Sequence, residues 1–100
     1  KDYTYFKVSG QLIKIRHEDL LFAKSVKDYI QLCTRQGNHL THMTMKYLNE
    51  LLPSSLFLRV HRSYMVNKAC VNLIDKYRIK VGPEVIPVGE NYRHNLEFID

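Results

Sequence analysis

The chain has 100 residues, of which 45% are hydrophobic and 25% charged, so residues 1–100 are expected to form a single globular domain with a modest core. No apolar run approaches the roughly 20 residues that span a bilayer and no signal peptide opens the chain, which predicts a cytoplasmic protein without membrane contact. The formal net charge of +5 favours an acidic partner such as nucleic acid.

Few residues suggest catalysis or metal binding. Cys33 and Cys70 lie in apolar contexts, where we expect reduced thiols. His39 and His42 are close together, but a zinc site needs about four ligands and no second Cys or His pair accompanies them. The chain carries no nucleophile motif and no glycine-rich phosphate loop. We therefore predict that the protein is not an enzyme and holds neither a metal nor a cofactor.

The first 42 residues have the alternation of apolar and polar residues that is typical of short strands. The predicted strands are Tyr3 to Val8, Leu12 to Ile15, Leu20 to Ala23, Tyr29 to Cys33 and His39 to His42. Ser9-Gly10 and Gln36-Gly37-Asn38 are turn signals that close two hairpins. The polar stretch from Lys24 to Asp28 is predicted to be an exposed loop.

One helix is predicted after these strands. Thr44 can cap its N-terminus, Met45, Leu48 and Leu51 recur at helical spacing, and Pro53 ends it. Its polar face is not basic, so we expect a packing helix that covers one end of a sheet.

The central stretch consists of two apolar runs, Phe57 to Val60 and Tyr64 to Asn67, around the polar trio His61-Arg62-Ser63. In one straight strand Arg62 would share a face with Val60 and Tyr64. An isolated buried charge costs several kcal/mol, roughly, so an unbroken strand needs a buried carboxylate or an Arg that extends to the rim. The other possibility is a break near His61 that turns Arg62 outward, and this is our prediction.

The last third predicts further strands over Val71 to Asp75, Tyr77 to Val81 and Val85 to Val88, where Pro87 indicates an edge or a bulge. Gly89 to Tyr92 opens a terminal helix with Tyr92, Leu96 and Ile99 on one side. These elements predict a mostly β fold of short strands and hairpins, with one or two short helices.

One stretch of the chain has a local excess of basic residues. Between Phe57 and Lys80 there are six cations and one acid, Asp75. Such an excess is expected of a surface that meets phosphates, although a solvated basic face that keeps the domain soluble has the same composition.

The run from Phe57 to Asn67, FLRVHRSYMVN, resembles the signature of the LytTR family of bacterial DNA-binding domains. Further stretches that fit the family in the same order are Asp19 to Phe22, Asp28 to Ile30, Tyr47 to Pro53, and Ile86 to Gly89 with Tyr92. The resemblance implies an elongated stack of small, largely antiparallel sheets that reaches double-stranded DNA through loops.

The resemblance also implies a role. The implied role is that of a sequence-specific effector domain in a two-component response regulator. The domain would be excised from a longer chain with an N-terminal receiver domain. Relatives commonly occupy paired sites, which implies a possible homodimer on DNA. The alternative is a protein-interaction module, or one that binds RNA and other polyanions without sequence preference.

Three contact regions follow from the resemblance: the loop from Lys24 to Tyr29, the break at His61 and Arg62, and the turn from Gly89 to Arg93. Arg62 has the planar fork that suits the O6 and N7 acceptors of guanine, so we expect it to read a base. His61 is expected to hold the break through a hydrogen bond.

The remaining site residues belong to the first and third of these regions. Lys24 and Lys27 are expected to contact phosphates as flexible point charges. Tyr29 corresponds to a base-contacting position, although a tyrosine at a strand start is as often a core residue. Asn91 could read adenine and Arg93 could hold a phosphate.

Two positions depart from the family pattern. Lys24 stands where an acidic residue is common after the third strand, and Gly89-Glu90 replaces a frequent Ser-Arg pair. A carboxylate at Glu90 would repel phosphates, so the preferred DNA sequence of relatives does not carry over.

Overall fold

A computed structural model describes residues 1–98 of the chain. Within them lie ten strands: β1 (Tyr3–Val8), β2 (Gln11–Arg16), β3 (Leu20–Val26), β4 (Tyr29–Thr34), β5 (Gly37–His42), β6 (Phe57–His61), β7 (Tyr64–Asn67), β8 (Leu73–Ile74), β9 (Arg78–Val81) and β10 (Glu84–Pro87). The helical elements of this range are α1 (Met45–Leu51) and three 3-10 segments, His17–Asp19, Lys68–Cys70 and Glu90–Phe98. No helix in this range is long and apolar enough to cross a membrane.

The strands form three antiparallel sheets. β1 and β2 form a hairpin, β5-β4-β3-β7-β6 is the order of a central five-stranded sheet, and β10-β9-β8 is the order of a third sheet. The molecule measures 39 × 25 × 24 Å. The predictions of a mostly β fold and of an elongated stack of small sheets are confirmed.

Both faces of the central sheet are covered by other elements. Because successive residues of a strand point to opposite sides, its strands contribute side chains to a core on each face. Ala23 and Leu32 pack in a cluster with Phe6 of β1 and Leu48 of α1. Phe22, next to Ala23, packs on the other side in a cluster that includes residues of β9 and β10. Two cores thus hold the three sheets in a stack, with the central sheet between the other two.

The helix prediction is confirmed at both ends. The Oγ1 atom of Thr44 accepts a hydrogen bond of 3.0 Å from the backbone N–H of Tyr47, which satisfies one free donor of the first turn. Leu52, the residue before Pro53, is extended, as the proline ring requires. Met45 and Leu48 are buried, so α1 is a packing helix.

The predicted loop from Lys24 to Asp28 is wrong, because β3 continues through Val26. Val26 pairs with Tyr29 and Lys24 pairs with Gln31, which leaves Lys27 and Asp28 as a two-residue turn. Two residues are enough to connect the antiparallel strands of a tight hairpin.

The third sheet contains two further differences. The strand predicted from Val71 to Asp75 is only the two-residue β8, because the Asp75 carboxylate accepts the N–H groups of Tyr77 and Arg78 and turns the chain. Pro87 lies in β10, an edge strand, as predicted.

The terminal helix is of the 3-10 type, with the N–H of Tyr92 bonded to the carbonyl of Gly89 at 2.9 Å. Ile99, which was predicted to share one side of this helix with Tyr92 and Leu96, lies outside the described residues.

Cys33 and Cys70 are free thiols. Burial, together with nearby Glu84, raises the pKa of Cys33 to about 11, and burial also raises the pKa of Cys70. Both groups are therefore protonated and weakly reactive near neutral pH.

Candidate nucleic-acid interface

The turn between β3 and β4 presents a lysine at its tip. Lys27 has a φ of 56°, in the left-handed region, which costs a residue with a side chain about 1 to 2 kcal/mol. The next residue but one, Tyr29, is 45% exposed and its ring meets that of His42 edge to face, with the centroids 5.2 Å apart. Tyr29 is thus a surface residue rather than a core one.

The turn between β6 and β7 is the predicted break. Arg62 and Ser63 separate the two strands, and a register shift between Arg59 and His61 precedes them. The Nδ1 atom of His61 accepts a hydrogen bond of 3.0 Å from the N–H of Ser63, as expected of a residue that holds the break. Arg62 is exposed and makes no ion pair within the described part of the chain.

Arg59, whose role the sequence did not indicate, supports this turn from the strand before it. Its Nη2 donates to the carbonyl oxygen of Arg62 at 2.7 Å and its Nε to that of His61 at 3.4 Å. The same argument that singled out Arg62 applies to Arg59. A cation between apolar neighbours, here Leu58 and Val60, must either pair with polar groups or reach the solvent.

The two turns lie side by side. The N–H of Ser25 donates to the carbonyl of Ser63 at 2.9 Å, next to the pairing of Lys24 with Tyr64. Between the turns and the start of α1 is a groove of about 480 Å³. Its charged lining residues are the cations Lys27, Lys46, Arg59 and Arg62 and the carboxylate Asp28.

Lys24 does not line this groove. It is half-buried within β3, where strand alternation places it on the same face as Phe22 rather than at the tip of the turn. The expectation that Lys24 and Lys27 share one exposed loop therefore needs correction, and only Lys27 occupies the tip.

A third turn adjoins the second on its other side. The N–H of Gly89 donates to the carbonyl of Val60 at 2.8 Å, along the free edge of β6. A Cβ at Gly89 would lie 3.0 Å from the Tyr92 ring and 3.5 Å from the Cα of His61, so the glycine permits this close approach. The Tyr92 ring centroid is 5.4 Å from the Arg59 guanidinium carbon.

Asn91 and Arg93 occupy different surroundings in this third turn. Asn91 is exposed, as is Glu90. Arg93 is directed away from the groove: its Nε donates to the carbonyl of Lys76 at 3.1 Å, and its guanidinium lies 5.1 Å from the centroid of the Tyr77 ring.

We call the series of Lys27–Asp28, Arg62–Ser63 and residues 89–93 the turn row. Its order follows the order β3-β7-β6 of the central sheet, with Gly89 beyond β6. Four of the seven residues predicted for the site lie in the row itself: Lys27, Arg62, Asn91 and Arg93. His61, the last residue of β6, adjoins it through its hydrogen bond with Ser63. Tyr29 borders the groove, and Lys24 lies in the strand behind it.

Burial lowers the pKa of His61 below its usual value of 6.5, and the charges of Arg62 and Arg59 lower it further. The imidazole is therefore neutral at pH 7, which leaves Nδ1 free to accept the Ser63 N–H. The neutral form of His61 is the one that can accept this hydrogen bond.

The family model of the LytTr DNA-binding domain matches residues 10–99. The chain belongs to the LytTr DNA-binding domain family. A solved LytTr DNA-binding domain from Bacillus cereus superposes with a TM-score of 0.82 at 18% identity, over 98% of this chain and 95% of that one. The likeness supports the fold.

Two curated relatives, both named sensory transduction protein LytT, come from Bacillus anthracis and Bacillus cereus. Each is 27% identical over 90% of this chain. The match covers 39% of each relative, so the LytTr domain spans about two-fifths of their length.

Proposed function

We propose that this LytTr domain binds double-stranded DNA in a sequence-specific manner, as the effector domain of a bacterial response regulator that acts in the cytoplasm. The observation that carries the proposal is the cationic groove between two adjacent turns. Phosphates are attracted to such a surface, while exposed side chains on turn tips can reach base edges. The role is binding rather than catalysis.

Arg62 is assigned to base readout. It stands on the tip of the middle turn, and Arg59 donates a hydrogen bond to its carbonyl. Its side chain forms no ion pair within residues 1–96, for which the structure describes the side chains. A planar guanidinium suits the two acceptors of guanine. Lys27 is assigned to a backbone phosphate, and Tyr29 and Asn91 to bases within reach of the same surface.

The paired sites of the family suggest that two copies bind side by side, which makes a homodimer on DNA part of the proposal. A receiver domain in the longer protein would control this arrangement. The relatives named sensory transduction proteins support that setting.

The test begins with selection of bound duplexes from a random pool by the wild-type domain. Arg62→Ala should then cost about 1 to 3 kcal/mol on the selected duplex and relax the preference at one base pair, because a bidentate contact is lost. Arg62→Lys should recover only part of the discrimination, since an ammonium lacks the planar fork. Binding is measured on single-base variants, with thermal melts as the control for folding.

Two results would contradict the proposal. Equal binding of the wild type to every duplex and to RNA would favour the alternative polyanion-binding module. An equal loss on all duplexes for Arg62→Ala would make Arg62 a phosphate contact only.

A further inference from the structure

We infer that the turn row continues into a fourth element, a phosphate-binding cluster formed by Lys76, Tyr77 and Arg93. The inference rests on the proposed function, to which it adds a contact at the end of the row opposite to Lys27. The connection is direct: the N–H of Val88 donates to the carbonyl of Tyr77 at 2.9 Å, and the next residue, Gly89, bonds to Val60.

The cluster is built around one exposed ring. Tyr77 is 59% exposed. The Lys76 Nζ lies 5.2 Å from its centroid and the Arg93 guanidinium carbon 5.1 Å from it. The bond from Arg93 to the Lys76 carbonyl fixes the guanidinium beside the lysine. Two positive charges therefore lie around the same aromatic ring.

Neither charge has a carboxylate partner within residues 1–96, for which the structure describes the side chains. The ion pairs of that part involve Arg16, Arg35 and Arg78. The carboxylate next to the cluster, Asp75, lies 3.6 Å from the Nε of Arg78 and accepts the N–H groups of Tyr77 and Arg78. These backbone bonds, with the charge of Arg78, also lower the pKa of Asp75. Asp75 is thus committed to the turn.

A phosphate is the anion that this arrangement favours. Two like charges beside one ring repel each other, and a bound anion near both offsets that repulsion. An arginine and a lysine supply several N–H donors to its oxygens. The Lys76 ammonium is a point charge without the paired donors that read a base edge, and the Arg93 guanidinium is engaged with the Lys76 carbonyl. The contact therefore fixes the position of the protein on DNA and does not read sequence.

The place of the cluster supports the same ligand. Lys27 stands at one end of the row, Arg62 in the middle and Lys76 at the other end. A side chain that reads a groove lies between two phosphate backbones, and phosphate contacts on both sides fix its register. The cluster supplies the second of these contacts.

Lys76→Ala is the direct test, and Lys14→Ala is its matched control. The Lys14 Nζ lies 4.3 Å from the Tyr3 ring centroid, so it is another lysine on a tyrosine, located in the β1–β2 hairpin rather than in the row. Affinity is measured by fluorescence anisotropy over a range of salt concentrations, on the selected duplex and on a scrambled one.

Lys76→Ala should reduce the magnitude of the slope of log K against log salt by about 0.9 on both duplexes, with their affinity ratio unchanged. Lys76→Arg should restore the slope, and Lys14→Ala should not change it. If the slope measured for Lys76→Ala equals that of the wild type, the inference is wrong. If the wild type binds both duplexes equally and Lys76→Ala still reduces the slope, only the proposed sequence-specific function is wrong. If the wild type binds neither duplex, both the proposed function and the inference are wrong.

Discussion

Lys27 combines backbone strain with a charge at the tip of a turn. Glycine adopts a φ of 56° without the Cβ penalty but loses more conformational entropy on folding. Lys27→Gly should therefore leave the domain as stable as the wild type or more stable by up to about 1 kcal/mol. The lost charge should reduce the magnitude of the salt slope for DNA binding by about 0.9.

Lys27→Ala is the control for this prediction, because alanine removes the charge and keeps the strain. Thermal melts and salt-dependent anisotropy are measured for both variants. If Lys27→Ala binds DNA like the wild type while Lys27→Gly binds weakly, the rigidity of the turn matters and its charge does not.

At the scale of elements, Gly89 joins the third turn to the second. An added Cβ would be tight against the Tyr92 ring and close to the backbone of His61. Gly89→Ala should shift the ring away from Arg59 and cost about 1 to 3 kcal/mol, as overpacking does. DNA affinity should fall as well, because Arg59 positions the carbonyl of Arg62.

The control is Tyr92→Phe, which keeps the ring beside Arg59 and should bind DNA and unfold like the wild type. Unfolding by urea and anisotropy on one duplex measure both quantities. Unchanged stability and affinity in Gly89→Ala would show that the third turn can move without consequence for the second.

The elements that the sequence predicted are those with local causes. The Thr44 cap, the Ser9-Gly10 turn and the break at Arg62 each follow from a side chain and its near neighbours. The length of β3 depends instead on its pairing with β4 and β7, and a polar residue such as Lys24 gives no local sign of it.

The candidate site shows the same division. The sequence and its resemblance assigned Lys27, Arg62 and Arg93 to DNA contacts. Their order along a row depends on hydrogen bonds between distant segments, such as Gly89 with Val60. Arg59 acts on backbone carbonyls, and strand alternation alone does not reveal those partners.

At the scale of the whole molecule, two histidines connect stability to pH. Burial is the main cause that lowers the pKa of both His17 and His61 below 6.5. The unfolded chain then binds these protons more readily than the folded one. The free energy of unfolding should be constant well above pH 6.5 and should decrease as the pH falls below 6.5.

Urea unfolding from pH 7.5 to 5.5 measures this decrease before most carboxylates titrate. His61→Asn should reduce the pH dependence, because an amide oxygen can accept the Ser63 N–H without titrating. His94→Asn, at an exposed position, is the control and should retain it. A free energy that does not change over this range would show that neither imidazole is held neutral by the fold.

The row of turns is fastened by backbone groups, while its side chains at positions 27, 62 and 91 are exposed. Substitutions at these three positions therefore leave both cores intact. On the proposed readout, a duplicated regulator would change its target by single codon replacements without first losing its fold. Each new specificity would then be reached through stable intermediates, which would favour families of regulators whose binding sites do not overlap.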